Sequence, residues 1–83
     1  MKQSMPPRKK GDRLAVGIAF GKRVRELREA KDWTLEVLAE TAKMNELQVG
    51  HIERGASDPK LSTMVKLAKA LGISISELLR GFK

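Results

Sequence analysis

The sequence predicts an all-α fold, a compact bundle of five short helices. Three observations lead there. From about residue 15 onward apolar residues recur every three or four positions, and no stretch alternates with the two-residue period of a strand long enough to build a sheet. Three segments open on the same arrangement, a capping side chain flanked by an apolar residue before it and another four residues into the helix. Glycines stand at positions 55, 72 and 81, where the last three helices should end.

Helix 1 is expected over roughly 16–31, with Val16, Phe20, Val24 and Leu27 on one face. Lys22, Arg23, Arg25, Glu26 and Glu29 fall on its other face. Thr34 is the expected N-cap of helix 2, with Trp33 and Leu38 as its hydrophobic staple. Asn45 is the expected cap of helix 3, with Gln48 completing a capping box and Met44 and Val49 as the staple. Helix 4 is expected over 61–71, with Lys60 and Ser62 competing as its cap. Its apolar stripe reads Leu61, Met64, Val65, Ala68 and Leu71. Ser74 caps helix 5, Glu77 completes its box, and Ile73 and Leu78 form the third staple.

At 83 residues the chain has room for one small domain and none for a separate sensor domain. It holds 17 Lys and Arg against 10 Asp and Glu, a net charge of +7, which points to a polyanion. Nucleic acid is the first such partner and an acidic membrane surface the second. Without a cysteine there is no disulfide framework, thiol nucleophile or Cys-ligated zinc. No apolar run reaches the roughly 18–20 residues of a membrane span, and no apolar segment follows the basic N-terminus as in a secretory signal. The expected location is therefore the cytoplasm.

The charge is uneven. Residues 1–13 carry five basic residues and one acid, a net of +4, whereas residues 14–83 carry twelve and nine, a net of +3. With Pro6, Pro7 and Gly11 and no hydrophobic period, residues 1–14 read as a disordered basic arm, and 15–83 as the folded domain. As an arm, Arg8, Lys9, Lys10 and Arg13 would supply phosphate or minor-groove contacts. The plainer reading is a solubilising tail.

Only Ala42-Lys43-Met44 separates helix 2 from helix 3, so the two must pack at a steep angle. That is a helix-turn-helix, whose second helix can project into the major groove of DNA. Val49 and Ile52 should face inward, onto Leu38 and Ala39. Glu46, Leu47, Gly50, His51 and Arg54 should face outward.

Residues 20–80 resemble the lambda-repressor-like, cro-type helix-turn-helix family, also called the xenobiotic-response-element family. The matching words are Gly21-Lys22-Arg23-Val24-Arg25-Glu26-Leu27-Arg28, Thr34-Leu35-Glu36, Leu38-Ala39-Glu40, Ile52-Glu53-Arg54-Gly55, Pro59 and Leu67-Ala68-Lys69-Ala70-Leu71-Gly72-Ile73-Ser74. The resemblance implies a five-helix DNA-binding domain that acts as a homodimer on a two-fold-related operator. It implies a structural ion pair between Arg28 and Glu53. It also implies that Thr34 and Leu35 touch the DNA backbone, that Asn45, Glu46 and Leu47 read base edges, that Gln48 meets a phosphate, that His51 reaches a base or phosphate, and that Lys60 holds the flanking backbone.

Three positions depart from that pattern. Leu35 stands where Gln is usual and cannot donate to a phosphate. Lys43 stands where Gly is usual, so a left-handed turn there would carry strain of roughly 1–2 kcal/mol, which a phosphate contact would offset. Glu46 and Leu47 replace polar or basic readers; Glu accepts from cytosine N4 and Leu packs on a thymine methyl.

His51 and Glu53, two residues apart, fall on different sides of a helix, and with one His and no Cys no metal site is expected. Asp32, Glu36 and Glu40 read as solvated charges, and Gly17 and Gly21 form no phosphate-binding loop. Neither a cofactor site nor a nucleophile–base pair is present, so no enzyme is expected. Leu79 and Phe82 are expected to serve a homodimer contact, because a short fifth helix cannot bury both. The leading reading is a sequence-specific DNA-binding transcriptional regulator of bacterial or phage type, with repression the expected sign and a restriction–modification controller one subtype. The alternative is an antitoxin-type protein-interaction module, in which Glu46 and Leu47 face a protein partner and DNA binding is secondary.

Overall fold

The computed structural model describes the backbone of residues 10–81 and the side chains of residues 15–81. Five helices follow one another: α1 (Lys10–Glu29), α2 (Leu35–Ala42), α3 (Glu46–Glu53), α4 (Leu61–Leu71) and α5 (Ile75–Leu78). No strand occurs among the described residues. Helix α1 lies against α3 and α4, α2 fills the space between α3 and α4, and α5 closes the bundle on α4.

The caps form as the residue types require. Thr34 Oγ1 accepts from the Val37 amide, Asn45 Oδ1 from the Leu47 amide and Ser74 Oγ from the Glu77 amide. The staples also form. Leu38, Val49 and Leu78 are fully buried, while Trp33, Met44 and Ile73 pack half-buried against the core. Neither capping box is completed by its second side chain. Glu77 is drawn instead to Arg23 and Arg80, and Gln48 stays exposed. Lys60 is the N-cap of α4 and makes no side-chain cap bond.

Helices α1 to α4 all end in the same Schellman arrangement, an amide bonding five residues back beside one bonding three back. Gly55 and Gly72 supply the left-handed residue of two of these ends, as expected. Asp32 and Lys43 supply it in the other two, at φ 60° and 57°. Lys43 therefore takes the left-handed turn foreseen for it, with the strain of a side chain there.

The core differs from the sequence reading in several places. Helix α1 begins at Lys10, six residues before position 16, because extending an existing helix needs no new nucleus. It thus takes in residues 10–14 of the segment read as an arm. Residues 1–9, with Arg8 and Lys9, lie outside the described residues, as does Phe82. Val16 is 53% exposed because this part of α1 runs past the core. On α4 the stripe is rotated. Leu67 is fully buried and Leu61, at the first turn, is 65% exposed. Leu79 packs partly against the core of its own chain. Arg23, expected on a solvated face, reaches α5, where Nη2 donates to the Glu77 carbonyl at 2.7 Å and Nε to the Leu78 carbonyl at 3.3 Å.

Two features set the position of α3. A Cβ on Gly21 would overlap the Ile52 carbonyl oxygen and lie 2.7 Å from that of Glu53, so only a bare Cα lets α1 approach α3 this closely. About two turns further along, Arg28 forks onto Glu53 at 2.7 and 3.0 Å and donates a third bond to the Trp33 carbonyl at 2.7 Å. This is the ion pair the family resemblance implied. Both side chains are nearly buried, and the Glu53 hydrogen bond raises Arg28 above the ordinary guanidinium range.

Two stability measurements test this interface. Gly21→Ala forces overlap with backbone atoms that cannot swing aside, so it should cost about 3 kcal/mol and lower Tm by more than about 10 °C in thermal melts followed by circular dichroism. Glu53→Gln leaves a nearly buried guanidinium without its counter-charge, and urea titration should show a loss of about 3 kcal/mol or more. A Gly21→Ala protein melting with the parent would remove the close approach as a constraint.

Candidate nucleic-acid interface

The face opposite the core is built by the turn between α2 and α3. Val49 and Ile52 are buried, at 0% and 2% exposure, and hold α3 onto α2. The same helix phase turns Glu46, Leu47, Gln48, His51 and Arg54 to solvent. Leu47 is 66% exposed, the highest exposure among the large apolar side chains described.

Gly50 corrects the sequence reading. It is buried, because the Arg54 guanidinium lies over it; a Cβ there would be 3.1 Å from Arg54 Nη1. Leu35, at the start of α2, joins Glu46, Leu47, Gly50 and Arg54 around one concavity. A neighbouring concavity gathers Gln48 and His51 of α3 with Ser57, Asp58, Lys60, Ser62 and Thr63 at the approach to α4. Ser57 Oγ is buried there without a hydrogen-bond partner among the described residues.

Of the ten residues singled out from the sequence, seven therefore line one or other of these two hollows. Thr34 and Asn45 spend their side-chain oxygens on the helix caps. Their helices still present first-turn amides and a positive dipole end, the features that hold a phosphate. Lys43 is exposed on the turn, with its backbone amide bonded to the Glu40 carbonyl at 3.1 Å. The hydroxyls of Ser57, Ser62 and Thr63 were missed by the sequence reading. Their signal was the Ser57-Asp58-Pro59 turn, which delivers a loop to the foot of α3.

Electrostatically the face is mixed. Lys43, His51, Arg54 and Lys60 are exposed, and so are Glu36, Glu46 and Asp58. The basic groups suit phosphates, while Glu46 repels them and can only accept from a base or another donor.

Comparison with known proteins agrees with this geometry. The chain is 42% identical to the restriction–modification controller protein C.AhdI from Aeromonas hydrophila, with a TM-score of 0.75 over 77% of this chain and 97% of that one. It is 36% identical over 59 residues to the HTH-type transcriptional regulator DdrOP3 of Deinococcus deserti, covering 71% of this chain and 46% of that protein. It is also 36% identical over 61 residues to the immunity repressor protein of Bacillus phage phi105, covering 74% of this chain and 42% of that protein. The chain thus spans less than half the length of either of these two relatives. The family model HTH_3, described as Helix-turn-helix, matches residues 24–78, and the chain belongs to that family.

Proposed function

We propose that the chain is a sequence-specific DNA-binding transcriptional regulator that reads a two-fold-related operator with α3 in the major groove. The observation that carries this reading is the solvent-facing side of α3, where Glu46, Leu47, Gln48, His51 and Arg54 stand free while Val49 and Ile52 anchor the helix from behind. Helix ends, Lys43 and Lys60 hold the phosphates on either side. Two copies would place their α3 helices about 34 Å apart, one turn of DNA, with Leu79 and Phe82 contributing to the contact between them. Arg8, Lys9, Lys10 and Arg13 would add phosphate contacts from the N-terminal side. The likeness to a controller protein and to a phage repressor supports a small repressor or autoregulatory controller acting on DNA in the bacterial cytoplasm.

Selection from a random duplex library at moderate salt tests the reading. An enriched, roughly palindromic motif is the expected result, with affinity falling steeply as salt rises because counterions are released. A folded protein that enriches no motif would overturn it in favour of the antitoxin-type module.

Lys43 offers a sharper test, because its backbone and its charge pull in opposite directions. Lys43→Gly relieves the left-handed strain and should raise stability by about 0.5–1 kcal/mol. The same change should weaken specific and random duplexes equally, and reduce the salt slope by about one unit. Unchanged DNA affinity would take Lys43 out of the interface.

A further inference from the structure

We infer that Leu35, Leu47 and Gly50 form a receptacle for the C5-methyl group of a thymine, which makes Gly50 a specificity-determining residue; this rests on the DNA-reading role proposed above. Gly17, Gly21 and Gly50 all lie inside helices. Glycine is among the least favourable residues inside a helix, so each needs a reason. Gly17 and Gly21 have structural ones, since a Cβ would press on the Ser57 and Gly55 carbonyls at the first and collide with carbonyls of α3 at the second. Gly50 has none of that kind. The three atoms nearest a Cβ there all belong to the guanidinium tip of Arg54, the closest 3.1 Å away at Nη1, and that flexible end can move aside. Its burial comes from the same side chain, so no packed core is disturbed by adding a methyl.

Gly50 adds no side chain of its own to the outer side of α3. It forms part of the hollow between the start of α2 and the outer side of α3, with Leu35 and Leu47 as apolar walls and Glu46 and Arg54 as charged ones. The hollow lies within the proposed base-reading face. In the major groove the thymine methyl is the one apolar group that a base edge presents. Leu35, which cannot replace the usual phosphate donor, has a use as the second wall. Glu46 at the rim accepts from a neighbouring cytosine amino group, so the half-site pairs a thymine with an adjacent C·G pair.

The test uses the site enriched by duplex selection, with each thymine replaced in turn by deoxyuridine, which removes only the methyl. The full chain should lose about fourfold in affinity at one thymine per half-site, hence about fifteenfold for both half-sites together. In Gly50→Ala and in Leu47→Ala that loss should shrink to less than about 1.5-fold. Gly50→Ala should also melt above the parent protein, because alanine is the better helix former. The inference is overturned if a motif is enriched and every deoxyuridine swap is neutral, a result that leaves the DNA-reading role standing. It is equally overturned if Gly50→Ala keeps the parental thymine preference or melts lower. Failure to enrich any motif would remove the inference together with the role on which it rests.

Discussion

The close approach of α1 to α3 is the constraint from which the rest of the molecule follows. Gly21 brings the two backbones together at the Ile52 and Glu53 carbonyls, and the Arg28–Glu53 fork locks the register of that contact. The third Arg28 bond, to the Trp33 carbonyl, ties the α1–α2 connection to the same point. Once α3 is held here, Val49 and Ile52 must face the core and the opposite side of the helix must face out. A reading surface can discriminate only if its helix cannot roll, and a bidentate nearly buried pair resists rolling better than apolar contact alone.

Around that contact the short helices depend on their ends more than on their lengths. Eight residues of α2 or α3 would not hold a helix in isolation. Each is instead defined by a side-chain cap, a staple into the core and a Schellman turn. The staples join these local devices to the global fold, because their inner residues, Leu38, Val49 and Leu78, are among the most deeply buried in the chain. Arg23 does the same for α5, binding the carbonyls of a helix too short to stand unaided.

Two irregularities fall on the proposed reading face. Lys43 holds a left-handed turn that glycine would hold without cost, and Gly50 interrupts a helix that alanine would favour. Asp32 holds the same left-handed conformation at the end of α1, and Gly17 and Gly21 interrupt α1 where packing explains them. Local preference is thus set aside where packing demands it as well as on the proposed reading face.

The helix order, the three N-caps, the staples and the left-handed positions at Gly55, Gly72 and Lys43 were legible in the sequence, because each depends on residues within one turn of one another. The Arg28–Glu53 pair was legible through the family resemblance, and the outward phase of α3 through its periodicity. Periodicity alone could not tell that Val16 and Leu61 are exposed while Leu67 is buried, since a stripe shows which residues share a face but not where the neighbouring helix stops. Nor could it show that Arg23 would reach across 54 positions to α5, that Gly21 would touch α3, or that Leu35 and Gly50 would share one hollow. Sequence by itself determined the elements and their ends, because hydrogen bonds and caps are short-range. Only the tertiary structure decided which faces meet and what shape is left outside, because those depend on distances between residues that the chain order keeps apart.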